Sequence, residues 1–223
     1  MVDVRALGLL LSAVLLGGCS GSEPPTPKAV AAAVRSPSPP ASPPPSPAAV
    51  VVERGSGAFS TVPGGSSTTG AGPLLTYRVE LEAGLGLDPV GVARSVDTTL
   101  ADPRSWTSGG RRSLRRVAGE ADLRVSLASP ATVDRLCAPL RTLGRYSCAN
   151  GDRVVLNVAR WLTGVPAYEG RLEEYRDYLV NHEVGHVLGF GHAPCPGAGQ
   201  VAPVMLQQSI GLDGCTRGPW PYP

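Results

Sequence analysis

Residues 74–82, LLTYRVELE, place apolar Leu75, Tyr77, Val79 and Leu81 between Thr76, Arg78, Glu80 and Glu82. A period of two predicts a strand buried on one face. The period then lengthens. In DPVGVARSVDTTLAD, residues 88–102, Val90, Ala93, Val96 and Leu100 recur at helical spacing. Asp88 suits the N-cap there and Pro89 the first helical position. Alternation returns in DLRVSLA (122–128), and RVVLNVARW (153–161) reads as a further strand. A long helix is expected from about Arg171 to Leu188, followed by a loop-rich tail. Strand, helix, two or three strands and a long helix predict an α+β (α/β sandwich-like) domain over residues 54–223, with AFSTV (58–62) near its start. No internal repeat is visible.

The first 53 residues follow different patterns. Ala6 to Leu16 is an apolar run of 11 residues, too short to span a bilayer but suited to a signal-peptide core. It ends in LGGC, Leu16 to Cys19, which resembles the bacterial lipobox. That resemblance makes 1–18 a lipoprotein signal peptide and Cys19 the lipidation site. The chain is then expected on the outer face of a bacterial cell membrane, with secretion as the alternative. From Pro24 to Pro47 there are ten prolines in 24 residues. Such composition favours polyproline II over a core, so 19–53 reads as a disordered tether with a reach of roughly 75 Å.

Composition narrows the options further. A net charge of +2 removes the electrostatic case for nucleic acid. The basic RRSLRR (111–116) is read as a solvated strand or loop. Aromatic residues make up 5%, which predicts a core mainly of Val, Leu and Ala.

All three histidines fall in NHEVGHVLGFGH, residues 181–192. On a helix, His182 and His186 stand one turn apart on one face and could share a metal ion at about 2.0–2.1 Å. Glu183, beside the first histidine, is placed to act as general base and not as a ligand. Ten further residues of helix would carry His192 about 15 Å away, so the helix has to stop and turn back. Gly189 supplies that stop, because glycine adopts positive φ without a Cβ penalty. Three imidazoles with an open fourth position suit a catalytic Zn2+ site.

The spacing His182-Glu183-x-x-His186-x-x-Gly189-x-x-His192 resembles the metzincin zinc-protease signature. Together with LCAPLRTLGRYSC and VVLNVARW, it also resembles an actinobacterial family of secreted domains of unknown function. The resemblance implies a twisted, mostly parallel sheet with an antiparallel edge strand, two main helices and a loop-rich C-terminal subdomain. It makes Met205, 13 residues after His192, the Met-turn methionine. It also makes the RVVLNVARW strand the sheet edge along which an extended substrate pairs. Two departures stand out: Gln207 occupies a place where some metzincins carry a tyrosine, and Ala193 does not match the main subfamilies. The implied activity is a zinc endopeptidase acting on protein or peptide as a monomer, with His182, His186 and His192 as ligands and Glu183 as base. A zinc hydrolase of envelope peptides or amides, or a non-catalytic zinc-containing binding lipoprotein, are the alternatives.

With Cys19 lipidated, four cysteines remain, which allow three pairings. Cys137–Cys148 and Cys195–Cys215 are favoured; the second would hold the Met205 segment. The rival is Cys195 as a metal ligand. No cysteine lies between Ser20 and Pro73, so no cysteine-switch pro-segment is apparent.

Overall fold

A computed structural model describes residues 50–223. The expected signal peptide, Cys19 and nearly all of the tether lie outside the described residues. Val51 and Val52 pack against the core, and Ala131 N–H donates to Glu53 O at 3.1 Å. Residues 51–53 therefore pack with the domain.

Seven strands form one mixed sheet: β1 (Phe59–Thr61), β2 (Thr69–Gly70), β3 (Leu74–Glu82), β4 (Ser113–Arg116), β5 (Leu123–Ala128), β6 (Cys148–Asn150) and β7 (Arg153–Asn157). The order across the sheet is β2-β4-β3-β5-β7-β6, with β1 paired to β3. Strands β4, β3, β5 and β7 run parallel, while β1, β2 and β6 pair antiparallel. Four helices, α1 (Pro89–Ala101), α2 (Pro130–Leu136), α3 (Val158–Thr163) and α4 (Leu172–Val187), complete an α+β fold. Beyond α4 the chain forms loops, with one isolated bridge between Val201 and Thr216. No helix among the described residues is long and apolar enough to cross a membrane.

Alternation along the strands sorts the two sheet faces. Tyr77, Val79 and Leu81 of β3, Leu123, Val125 and Leu127 of β5, and Val154 and Leu156 of β7 enter the main core. Residues of α1 and α4, including Val96, Leu100, Leu179 and Val184, join the same core. Helix α1 starts as its sequence predicts: the Asp88 carboxylate accepts from Val90 and Gly91 N–H, with Pro89 in the first turn. Ala128 and Val155, on the opposite face, pack with Val133 of α2 and the half-buried Phe59.

Several expectations need correction. The second face of β3 is not solvated: Glu80 and Glu82 are buried. Glu82 accepts from Gly57 N–H, Ser129 N–H and Thr132 Oγ1, so it ties the N-terminal segment to α2. Val90 is 53% exposed, and Val92 takes its place on the buried face of α1. RVVLNVARW is not one strand. The Asn157 side chain accepts from Ala159 N–H at 2.9 Å and caps α3, which ends β7. Nor is β7 an edge, since β5 and β6 flank it; the strand at that edge of the sheet is β6. Arg116 of RRSLRR is buried, with its Nε 3.0 Å from the Asp97 carboxylate. Four of the six tyrosines (Tyr77, Tyr168, Tyr175 and Tyr178) are core residues despite the low aromatic content.

Candidate metal centre and cleft

Helix α4 carries His182, buried in its last turns, and the half-buried His186 one turn later. The helix then closes as a Schellman motif. Gly189, at φ 91°, donates its N–H to His186 O at 3.0 Å, and Phe190 N–H reaches Gly185 O at 3.0 Å. This reversal returns the exposed His192 to its partners. Ala193 N–H then bonds Met205 O at 3.1 Å. The ring centroids of His182, His186 and His192 stand 4.8, 5.5 and 4.7 Å apart. One ligating atom from each histidine lies within 4.8 Å of the others.

Main-chain carbonyls orient two of the rings. His182 Nδ1 donates to Val204 O at 2.8 Å, and His186 Nδ1 to Phe190 O at 2.9 Å. A carbonyl can only accept, so both Nδ1 atoms carry a proton, and in the neutral rings the Nε2 atoms are the ones left to bind a metal. Those Nε2 atoms face each other at 3.2 Å. Two lone pairs at that distance repel unless a cation lies between them, and tetrahedral zinc ligands stand about 3.3 Å apart. The donor set therefore fits a zinc-sized ion. Burial lowers the His182 pKa to about 3, and burial together with the neighbouring His186 lowers that of His192. Neutral imidazole is the form a metal requires.

Glu183 is buried beside these rings, and burial raises its pKa to about 8. It accepts no hydrogen bond from the described residues. It lines a cleft of about 500 Å³ with all three histidines, Tyr146, Tyr178 and the edge strand residues Cys148 and Ala149. Most hydroxyls in this cleft are already engaged. Thr142 donates to Asp134, Tyr178 to Leu206 O at 3.1 Å, and Ser209 pairs with Tyr175 at 2.9 Å. The Tyr146 phenol has no partner among the described residues; only its main-chain N–H is bonded, to Thr142 O.

Met205 lies within a turn in which Leu206 N–H bonds Pro203 O at 2.9 Å. Its side chain packs under α4 at Gly185. A Cβ on Gly185 would stand 2.5 Å from Met205 Sδ and 2.7 Å from Trp106 Cζ2. Trp106 is itself fixed, donating Nε1–H to Asn181 O at 2.9 Å and stacking on Phe190 at 4.6 Å. Cys137 is bonded to Cys148 and Cys195 to Cys215, so Cys195 holds no thiolate for a metal.

The supporting residues were not visible in the motif. Tyr168 donates to Gln208 Oε1 at 2.7 Å, and Gln208 Nε2 donates to Gly218 O at 2.7 Å. Tyr175 and Tyr178 hold the 206–209 segment against α4, and Gln208 ties it to Tyr168 and Gly218. One signal existed: Tyr175 and Tyr178 precede His182 by seven and four residues, on the helix face that carries the histidines.

Three convergent imidazoles with a buried carboxylate beside them make this a candidate metal-dependent hydrolytic site. The chain belongs to the family described as "Protein of unknown function (DUF3152)", which it matches over residues 45–216. No curated protein matches it.

Proposed function

We propose that this chain is a zinc-dependent endopeptidase of metzincin type, monomeric, and held at the outer face of the cell membrane through Cys19. The observation that carries the reading is the set of bare imidazole nitrogens converging in the cleft that also contains the unpaired Glu183 carboxylate. His182, His186 and His192 would hold the ion. Bound zinc would supply a Lewis acid that activates water near neutral pH and polarises a carbonyl.

The remaining work falls to the chain. Glu183 takes the proton from the attacking water and passes it to the leaving nitrogen. Its desolvated setting makes the ionised carboxylate a stronger proton acceptor than an exposed one. Tyr146 has the free phenol needed to hydrogen-bond the carbonyl oxygen as charge develops there. One edge of β6 is paired with β7 and the other faces no strand, so an extended peptide can add to it at Ala149.

The test is digestion of casein and a peptide library by purified protein of measured zinc content. Cleavage is expected from the zinc-loaded protein. It should be lost on chelation and in Glu183→Gln, which should keep its zinc. Stoichiometric zinc with no cleavage of any substrate would reject the peptidase in favour of a binding lipoprotein.

A further inference from the structure

Both walls of the cleft are loops closed by disulfides. The loop between Cys137 and Cys148 contributes Leu140 and Arg141, and the loop between Cys195 and Cys215 contributes Gln207 and Ile210. A second hollow of about 380 Å³ adjoins the first, sharing His192, Gln207 and Ile210, and its lining adds Asp213. The two hollows therefore form one tract, with Arg141 lining only the first part, Asp213 only the second, and the third histidine common to both.

Charge along this tract is sparse and ordered. Apart from the buried Glu183 and the histidines, Arg141 and Asp213 are the only Asp, Glu, Lys or Arg side chains lining the two hollows. Each is exposed, and neither joins an ion pair among the described residues. Leu140 and Ile210, on the same linings, are 59% and 63% exposed and leave apolar surface open to a ligand. The loop that carries Arg141 is pinned at Gly144. Asp134 accepts from Gly144 N–H at 2.7 Å, and Asn157 Nδ2 donates to Gly144 O at 3.0 Å. Charges on braced loops cost little ordering when a ligand arrives.

We propose that the cleft is charge-polarised. It selects an extended polypeptide with an acidic side chain at Arg141, an apolar residue against Leu140 and Ile210, and a basic side chain at Asp213. As a statement about substrate this rests on the peptidase reading; as a statement about binding it does not.

The experiment scans charge position in a fluorogenic peptide library, using the zinc-loaded wild type, Arg141→Glu and Asp213→Asn. Asparagine is chosen because Asp213 sits at φ 50°, which Asn tolerates without strain. Wild type should favour acidic residues on one side of the scissile bond and basic residues on the other. Arg141→Glu should shift kcat/KM for the matched acidic peptides down by about 2- to 30-fold and raise it for basic ones. Asp213→Asn should remove only the basic preference, and added salt should shrink both effects. The same peptides are titrated by fluorescence polarisation onto zinc-loaded Glu183→Gln carrying each second change. If no variant cleaves but the charge preference persists in Kd, the peptidase reading fails and the polarised cleft stands. If cleavage and binding both ignore the two substitutions, the polarised cleft is overturned.

Discussion

Gly185, between the two helical histidines, permits a contact that no larger residue allows. In Gly185→Ala the new methyl would stand 2.5 Å from Met205 Sδ and 2.7 Å from Trp106 Cζ2, so one of them has to move. Both are buried, and Trp106 is held by Asn181 O and Phe190. Overpacking of this kind costs about 1–3 kcal/mol. Against it, alanine is favoured over glycine inside a helix by about 0.8–1.0 kcal/mol. The balance is a net loss of about 1 kcal/mol, or a Tm lower by roughly 2–4 °C in a domain of this size. A second effect reaches the proposed metal site, because Val204, next to Met205, supplies the carbonyl that orients His182. Displacing such an orienting group should weaken zinc binding about 10-fold or more. Differential scanning fluorimetry and a competitive zinc-chelator titration read the two effects. Combining Gly185→Ala with Met205→Ala should cost less than the sum of the single changes. Gly189→Ala is the control. No atom lies within 4 Å of its new Cβ, so its cost comes from positive φ alone, about 1–2 kcal/mol, with no coupling to Met205. A Gly185→Ala protein that melts higher, with unchanged zinc affinity, would refute the packing argument.

Three further outcomes are expected. Burial pushes the Glu82 carboxyl pKa up, but hydrogen bonds from Ser129, Thr132 and Gly57 outweigh it and hold it below its ordinary value near 4.5. Its contribution is therefore present above pH 4.5 and lost as pH falls through the lower folded value, so the gap in urea midpoint between wild type and Glu82→Gln should close in acid; a constant gap contradicts this. Cys195→Ser with Cys215→Ser opens a loop of sequence separation 20 and should cost about 3 kcal/mol by chemical denaturation, without creating a new metal ligand. Tyr146→Phe should leave Tm unchanged, since the phenol is unpaired, but lower kcat about 10²-fold with little change in KM; equal kcat would remove Tyr146 from the reaction.

Local signals were legible where one element's own chemistry decides its structure. The alternation in 74–82, the Asp88-Pro89 start of α1 and the extent of α4 all depend on neighbours in sequence, and the structure places them as the pattern suggests. Failures came where a distant partner intervened. Glu80 and Glu82 carry the polar signature of a solvent face, yet Ser126, Ser129 and Thr132 satisfy them inside. Val158, Ala159 and Trp161 extend the apolar run of β7, but Asn157 ends the strand through a cap. Arg116 reads as surface charge until Asp97 and the Val62 and Pro63 carbonyls are seen around it.

The same distinction applies inside the site. The three imidazoles fall within eleven residues, and their spacing could be read directly. What aims them could not. His182 is oriented by Val204 O, His186 by Phe190 O, and the His192 segment by Met205 O. Each of these is a main-chain carbonyl, a group every residue possesses, so no side-chain pattern records its role. Side-chain identity matters one layer further out, where Tyr168, Tyr175 and Tyr178 grip the 206–209 segment through Gln208, Ser209 and Leu206 O. Tyr175 and Tyr178 share the helix face with His182 and His186, so α4 presents imidazoles to the cleft and phenols to the loop that closes it. Met205 then needs only to be flexible and apolar enough to fit beneath Gly185. The ligand motif and its support are thus one helix face meeting one loop, and only the helix half is written contiguously in the chain.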